Sequence, residues 1–143
     1  MSGSSGPRAK RWAVKLAAEF GHRDVTEDVA AFVVSSGVRD GAVIVSLTGS
    51  TGAVTTIEYE SGALADLRRA LDRLAPATGD YAHNARWGDG NGFSHVRSAL
   101  LKTSLSIPVV DGRLQLGTWQ QIVVINLDNR PREREVVAVV VGS

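Results

Sequence analysis

The sequence predicts an α+β fold: a mixed, mostly antiparallel β-sheet or sandwich of about seven strands with about three helices. Three observations carry that expectation. Apolar segments of strand length outnumber segments with helical spacing, the last four strand-like segments follow one another without a helix between them, and one stretch, 64–74, repeats leucine at steady helical intervals. A repeating βαβ winding needs a long crossover between successive strands, which this order does not supply.

The first strand is placed at 12–20, where Trp12, Val14, Leu16, Ala18 and Phe20 share one face and Lys15 and Glu19 the other. Gly21 and His22 then turn the chain. A short helix follows, with Thr26 as N-cap, Glu27 and Asp28 in the first turn, Val29, Phe32 and Val33 on one face, and Gly37 as its stop. The β-branched run 42–47, bounded by Asp40-Gly41 and Gly49, reads as a buried strand, and 53–58 as its return. Leu64, Leu67, Leu71 and Leu74 then mark a helix behind a Ser61 cap and ahead of Pro76.

A loop at 76–80 leads through Tyr81, His83 and Trp87 to the glycine-rich run 88–92. The next helix begins near Phe93, with Phe93, Val96 and Leu100 turned inward and His95, Ser98 and Lys102 on the opposite face. Asp111-Gly112 joins strands 105–110 and 113–116, because that pair supplies the positive φ angles of a type I′ turn. Strands at 121–127 and 135–141, joined by a polar turn at 128–132, complete the set. No repeat or linker divides residues 8–143, which are read as one domain behind a leader or linker at 1–7. Several strands are apolar on both faces, so the sheet needs two covers: helices on one side, and a second sheet or another subunit on the other.

Composition narrows the partners. Lys+Arg 16 against Asp+Glu 15 leaves a net charge of +1, too little for a field that selects nucleic acid or an anionic membrane. The absence of cysteine excludes a disulfide framework, a thiolate zinc site, an iron–sulfur cluster and a thiol nucleophile. No apolar run approaches the roughly 18 residues of a membrane span, and no signal-like apolar stretch opens the chain. A cytoplasmic protein is expected.

The densest polar cluster is 80–95. Gly88, Gly90 and Gly92 alternate with Asp89 and Asn91 just ahead of a helix, so free backbone amides and the positive helix end can form an anion cradle; the same residues also serve as ordinary turn chemistry. No Gly-Lys-Ser/Thr ending makes this a nucleotide P-loop. His83 and His95 bracket the loop and are candidates for acid–base work, phosphate binding or an open metal site, while His22 reads as structural. Trp119 offers a stacking face, although core packing is the commoner use of tryptophan. Ser50, Thr51, Thr55 and Thr56 form a hydroxyl-rich strand edge, and Arg130, Arg132 and Arg134 among Glu133 and Glu135 read as a solvated hairpin.

Three segments in order carry a resemblance: Trp87-Gly88-Asp89-Gly90-Asn91-Gly92-Phe93-Ser94-His95, Ser104-Leu105-Ser106-Ile107-Pro108-Val109-Val110-Asp111-Gly112, and Leu116-Gly117-Thr118-Trp119-Gln120-Gln121-Ile122. Together they resemble the YjbQ family, whose members are often labelled secondary thiamine-phosphate synthases. The resemblance implies a compact α+β subunit, a homotrimer, and a polar site near subunit contacts in which His83, Asn91 and His95 act catalytically. It implies a divalent metal, zinc or magnesium, held with His83 and His95. Gly88, Asp89, Gly90, Gly92, Ser50, Thr51, Ser98 and Trp119 are then the candidates for holding a small phosphorylated substrate. Many relatives carry Pro-His-Thr-Thr where this chain reads Thr48-Gly49-Ser50-Thr51, so Gly49 stands in place of a histidine. The labelled reaction joins a pyrimidine diphosphate to a thiazole phosphate and releases diphosphate. Such chemistry needs anion donors for the leaving group and a stacking surface for the ring. This chain shows no tight acidic cluster for magnesium and is too short for a (β/α)₈ barrel of about 200 residues or more.

Overall fold

A computed structural model describes residues 6–143; residues 1–5 of the expected leader lie outside the described residues. The elements run β1 (Ala9–Leu16), β2 (Gly21–Asp24), α1 (Thr26–Ser36), β3 (Gly41–Leu47), β4 (Gly52–Ile57), α2 (Ser61–Leu74), α3 (Ala82–Trp87), α4 (Gly92–Leu101), β5 (Ser104–Val110), β6 (Arg113–Leu114), β7 (Gln121–Asn126) and β8 (Arg132–Gly142). The larger sheet has the order β1-β8-β3-β5-β6 and the smaller β2-β7-β4, with antiparallel pairing throughout. The α+β, mostly antiparallel architecture expected from the sequence is the one observed.

Alternation places the larger sheet. Val43, Val45 and Leu47 of β3 and Val136, Ala138 and Val140 of β8 point inward, where they meet Val54, Ile122 and Val124 of the smaller sheet and Val29, Phe32 and Val33 of α1. A second cluster forms on the far face of the smaller sheet, where Ala53, Val123 and Ile125 pack against Leu64 and Leu71 of α2. The smaller sheet is therefore buried on both faces, which is why Ile122, Val123, Val124 and Ile125 read as an unbroken apolar run. Burying each such side chain contributes about 1.5–3 kcal/mol, so β7 tolerates little. The outer face of the larger sheet, with Ile44 and Val141, stays exposed within this chain.

Several local readings change, each for a physical reason. β1 ends at Leu16 because Asn126 Nδ2 donates to the Ala17 carbonyl and the Glu19 amide donates to the Asp128 carbonyl, bending 17–20 into a turn. Glu19 (φ 28°) and Phe20 (φ 135°) both take positive φ there, a cost these neighbouring bonds offset. Gly21 and His22, expected as a turn, lie in β2 paired with β7. Val25, not Thr26, occupies the N-cap of α1; the Thr26 hydroxyl instead accepts from the Ile122 amide, and Asp24 accepts from the Thr26 amide.

Glu60, not Ser61, caps α2, accepting from the Gly62 and Ala63 amides; those bonds hold its carboxyl below the usual carboxylate range. A short helix, α3, occupies the stretch after Tyr81. α4 is rotated from the expected face: Phe93 is buried, but Val96 and Leu100 face solvent while Ser94, Arg97 and Ser98 point inward. Hydrogen bonds hold that orientation. Ser98 Oγ donates to the Gly52 carbonyl, and Arg97 donates to the Ala75 carbonyl and to Asp72. β8 starts at Arg132 because Leu16 pairs there. The β5–β6 turn is as expected, with positive φ at Asp111 (52°) and Gly112 (75°).

Candidate functional site

α3 and α4 each carry one imidazole toward the other. The His83 and His95 rings stand 4.4 Å apart between centroids with a 45° tilt. His83 Nδ1 lies 3.3 Å from Asp89 Oδ1 but is not aligned for a hydrogen bond, and it has no other protein partner among the described residues. The glycines let this happen. Gly88 (φ 67°) ends α3 and Gly90 (φ 66°) continues the reversal, conformations that a side chain disfavours. Gly92 packs under Tyr81, whose Cβ would lie 2.5 Å from any added Cβ.

Of the amides expected to cradle an anion, those of Gly88, Asn91 and Gly92 are engaged within the chain. Asp89 Oδ1 accepts from the Asn91 amide and Asn84 Oδ1 from the Gly92 amide, so two donors at the start of α4 are already satisfied. The Asn91 side chain is also bonded within the chain: Nδ2 donates to Asp128, and Oδ1 accepts from Ser94 Oγ and the Asn129 amide. Its side chain organises the loop from within. Ser98, bonded to Gly52, is buried in the same manner.

Asn91 leads to a buried hub that the sequence reading did not mark. Asp128 accepts from Asn91, from Thr51 Oγ1 at 2.9 Å, from the Arg130 amide and from Arg132 Nε at 3.1 Å. Burial pushes its carboxyl up, but the bonds from Asn91, Thr51, Arg130 and Arg132 outweigh that and hold it below the ordinary range. Arg134 Nη2 donates to Thr51 Oγ1 and to Asn126 Oδ1. Burial weakens the hold of this guanidinium on its proton, Asp128 restores part of it, and the nearby Arg132 lowers it again. The expected solvated hairpin is thus half wrong: Arg130 and Arg132 are exposed, but Arg134 is only 7% exposed. One signal was available in the sequence: Asn126 is polar within the otherwise apolar run 122–127. The inward register of 136, 138 and 140, which extends back to 134, is set by pairing with β1.

Of the remaining candidates, Thr51 joins the hub, while Ser50 lies exposed beside it. Trp119, expected as core, is 73% exposed. The Gln120 and Gln121 side chains bond into its loop and leave the indole outside. Gly49 (φ 130°) has a structural reason to lack a side chain, since an added Cβ would lie 2.8 Å from Arg134 Nη1. The implied metal does not fit the residues this chain supplies. Among the described residues no three histidine or acidic side chains gather into a metal-holding group. Two imidazoles fall short of the three or four protein ligands of zinc, and the acidic oxygens that magnesium prefers are not assembled.

Comparison with known proteins settles the kinship. The profile of the UPF0047 protein YjbQ-like family matches residues 10–143. The chain belongs to this family. A UPF0047 protein of Methanothermobacter thermautotrophicus is 40% identical over 120 residues, covering 84% of this chain and 82% of the relative. A YbjQ-like protein of unknown function from Sulfolobus solfataricus superimposes with a TM-score of 0.89 at 27% identity, over 94% of this chain and 96% of that one. A hypothetical protein from Aeropyrum pernix gives 0.86 at 31% identity, over 94% and 98%. The UPF0047 relatives share the fold and leave the activity open. No helix among the described residues is long and apolar enough to cross a membrane.

Proposed function

We propose that this UPF0047 protein binds a small phosphorylated molecule at the His83–His95 pair. It acts there as a weak, cytoplasmic transferase of the thiamine-phosphate synthase kind, joining a pyrimidine diphosphate to a thiazole phosphate. The carrying observation is the pair itself: two imidazoles 4.4 Å apart, one beside the Asp89 carboxylate, on a loop whose shape depends on positive-φ glycines. In the transfer, the thiazole nitrogen supplies the electron pair for a new C–N bond. The methylene C–O bond breaks and diphosphate leaves with its electron pair. An imidazolium beside the departing oxygen stabilises the charge that develops there, and the nearby Asp89 carboxylate favours the positive charge on His83.

The reading includes a homotrimer that takes neither nucleic acid nor membrane as partner. Its support is the exposed outer face of the larger sheet, with Ile44 and Val141, and the exposed Trp119, since apolar surface of this kind is ordinarily covered by another subunit. Light scattering should return a multiple of the 15.2 kDa chain mass, and a monomer would remove the assembly. Thiamine phosphate formation should fall at least about tenfold in His95→Ala, the low end of the contribution of a positioned acid or base. Equal rates would take His95 out of the mechanism.

One observation favours a second reading, a phosphate-ligand-binding protein without turnover. The Asn91 side chain and the first amides of α4 are spent on internal bonds, leaving fewer donors for a transition state. Tight binding of thiazole phosphate with no product in either wild type or variant would select it.

A further inference from the structure

Arg134 is buried with donors to spare. Its Nη2 is fully engaged by Thr51 and Asn126, but Nε is buried without an acceptor, and Nη1 meets no protein acceptor among the described residues. Nε lies against Gly52 on the Nη2 side of the guanidinium, so the donor left for a ligand is Nη1. Nη1 faces Gly49: it would lie 2.8 Å from a Cβ there, and apart from this guanidinium and the neighbours Thr48 and Ser50 no heavy atom among the described residues lies within 4 Å of that point. Nη1 thus fills the space that a side chain at the exposed Gly49 would take.

The loop around Gly49 is rich in donors. Neither the Gly49 nor the Ser50 amide donates to a protein acceptor among the described residues, and the Ser50 hydroxyl is exposed beside them. The charges balance in favour of an anion. Arg134 and Arg132 face the single carboxylate of Asp128, which is already saturated by Thr51, Asn91, Arg130 and Arg132. The next carboxylate, Glu135, is held by Arg11 and by the Thr48 hydroxyl.

We infer that Arg134, reached at Gly49 and rimmed by the amides of Gly49 and Ser50, binds a phosphate-class oxyanion. The inference rests on the reading above only for the class of ligand, and it places the phosphate against residues other than the imidazoles. Arginine suits the task because its planar donors match phosphate oxygens and keep their charge at neutral pH. The assignment gives Gly49 a role: it is the doorway to a buried cation.

The test is a titration of nitrogen-15-labelled protein with inorganic phosphate at pH 8, where the probe is a dianion. The Gly49 and Ser50 amide resonances should shift saturably in the wild type and equally in His95→Gln. In Arg134→Gln the affinity should weaken about tenfold or more, the loss of a charge-assisted hydrogen bond. Absence of saturable shifts at these amides in the wild type overturns the site, as does unchanged affinity in folded Arg134→Gln. If Arg134→Gln does not fold, Gly49→Ala decides, because its methyl group closes the approach to Nη1. Binding should then be lost, and retained affinity refutes the assignment. Shifts abolished by His95→Gln would hand the phosphate to the imidazole pair and leave only the transferase reading standing.

Discussion

Asp89 and Asp128 sit at two ends of one connected stretch, and their surroundings could hardly differ more. Asp128 is 1% exposed and takes bonds from two side-chain donors, a backbone amide and a guanidinium. Asp89 is exposed beside an imidazole whose nitrogen is not aligned with it. In one region every polar atom of the carboxylate is committed; in the other, Asp89 gives one oxygen to the Asn91 amide while the two imidazoles make no hydrogen bond among the described residues. Committed groups fix shape, whereas free ones are available to a ligand. Asn91 belongs to the first kind although it lies in the sequence of the second.

The comparison breaks if substitutions rank differently from this. Asp128→Ala should be the most damaging, with a loss of about 3–5 kcal/mol in denaturant unfolding, because it strands buried donors and leaves Arg134 without a counter-charge. The same carboxylate sets an acid limit. Held below the ordinary range in the folded state, it stabilises the fold above the unfolded carboxylate value near pH 4, and that contribution is lost as pH falls through the folded value. Asp128→Asn should therefore show a shallower loss of stability below about pH 4 than the wild type. Thr51→Val, which removes the hydroxyl between Arg134 and Asp128, should cost about 1–3 kcal/mol. His95→Gln should change stability by less than about 0.5 kcal/mol while impairing thiamine phosphate formation, and a larger destabilisation would move His95 into the committed class. Trp119→Ala should be the mildest for the isolated subunit, again within about 0.5 kcal/mol, with its effect read in assembly or ligand affinity instead.

The parts of the fold legible in the sequence were those set by local pattern: the α2 leucines, the Asp111-Gly112 turn, and the apolar β-branched runs of β3 and β8. The α4 face was not legible, since hydrophobicity pointed to Val96 and Leu100 while hydrogen bonds to Gly52, Ala75 and Asp72 decided the rotation. At the site, glycines and histidines drew notice because their chemistry is unusual wherever they fall. The meeting of the two rings depended on α3, a short helix with no apolar face of its own. Arg134 was hidden by its neighbours. A charged residue between two exposed glutamates looks solvated until the strand register is known, and that register comes from pairing with a strand more than a hundred residues earlier.

That pairing has a consequence for how the molecule is made. β8 lies between β1 and β3, matching Ala9 to Val139 at one end and Leu16 to Arg132 at the other. As the polypeptide leaves the ribosome, β1 has no neighbour in its own sheet until β8 emerges, so the larger sheet cannot close before then. The smaller sheet meets the same delay through β7, and the nascent chain must carry its valine-rich segments unsheltered until both arrive.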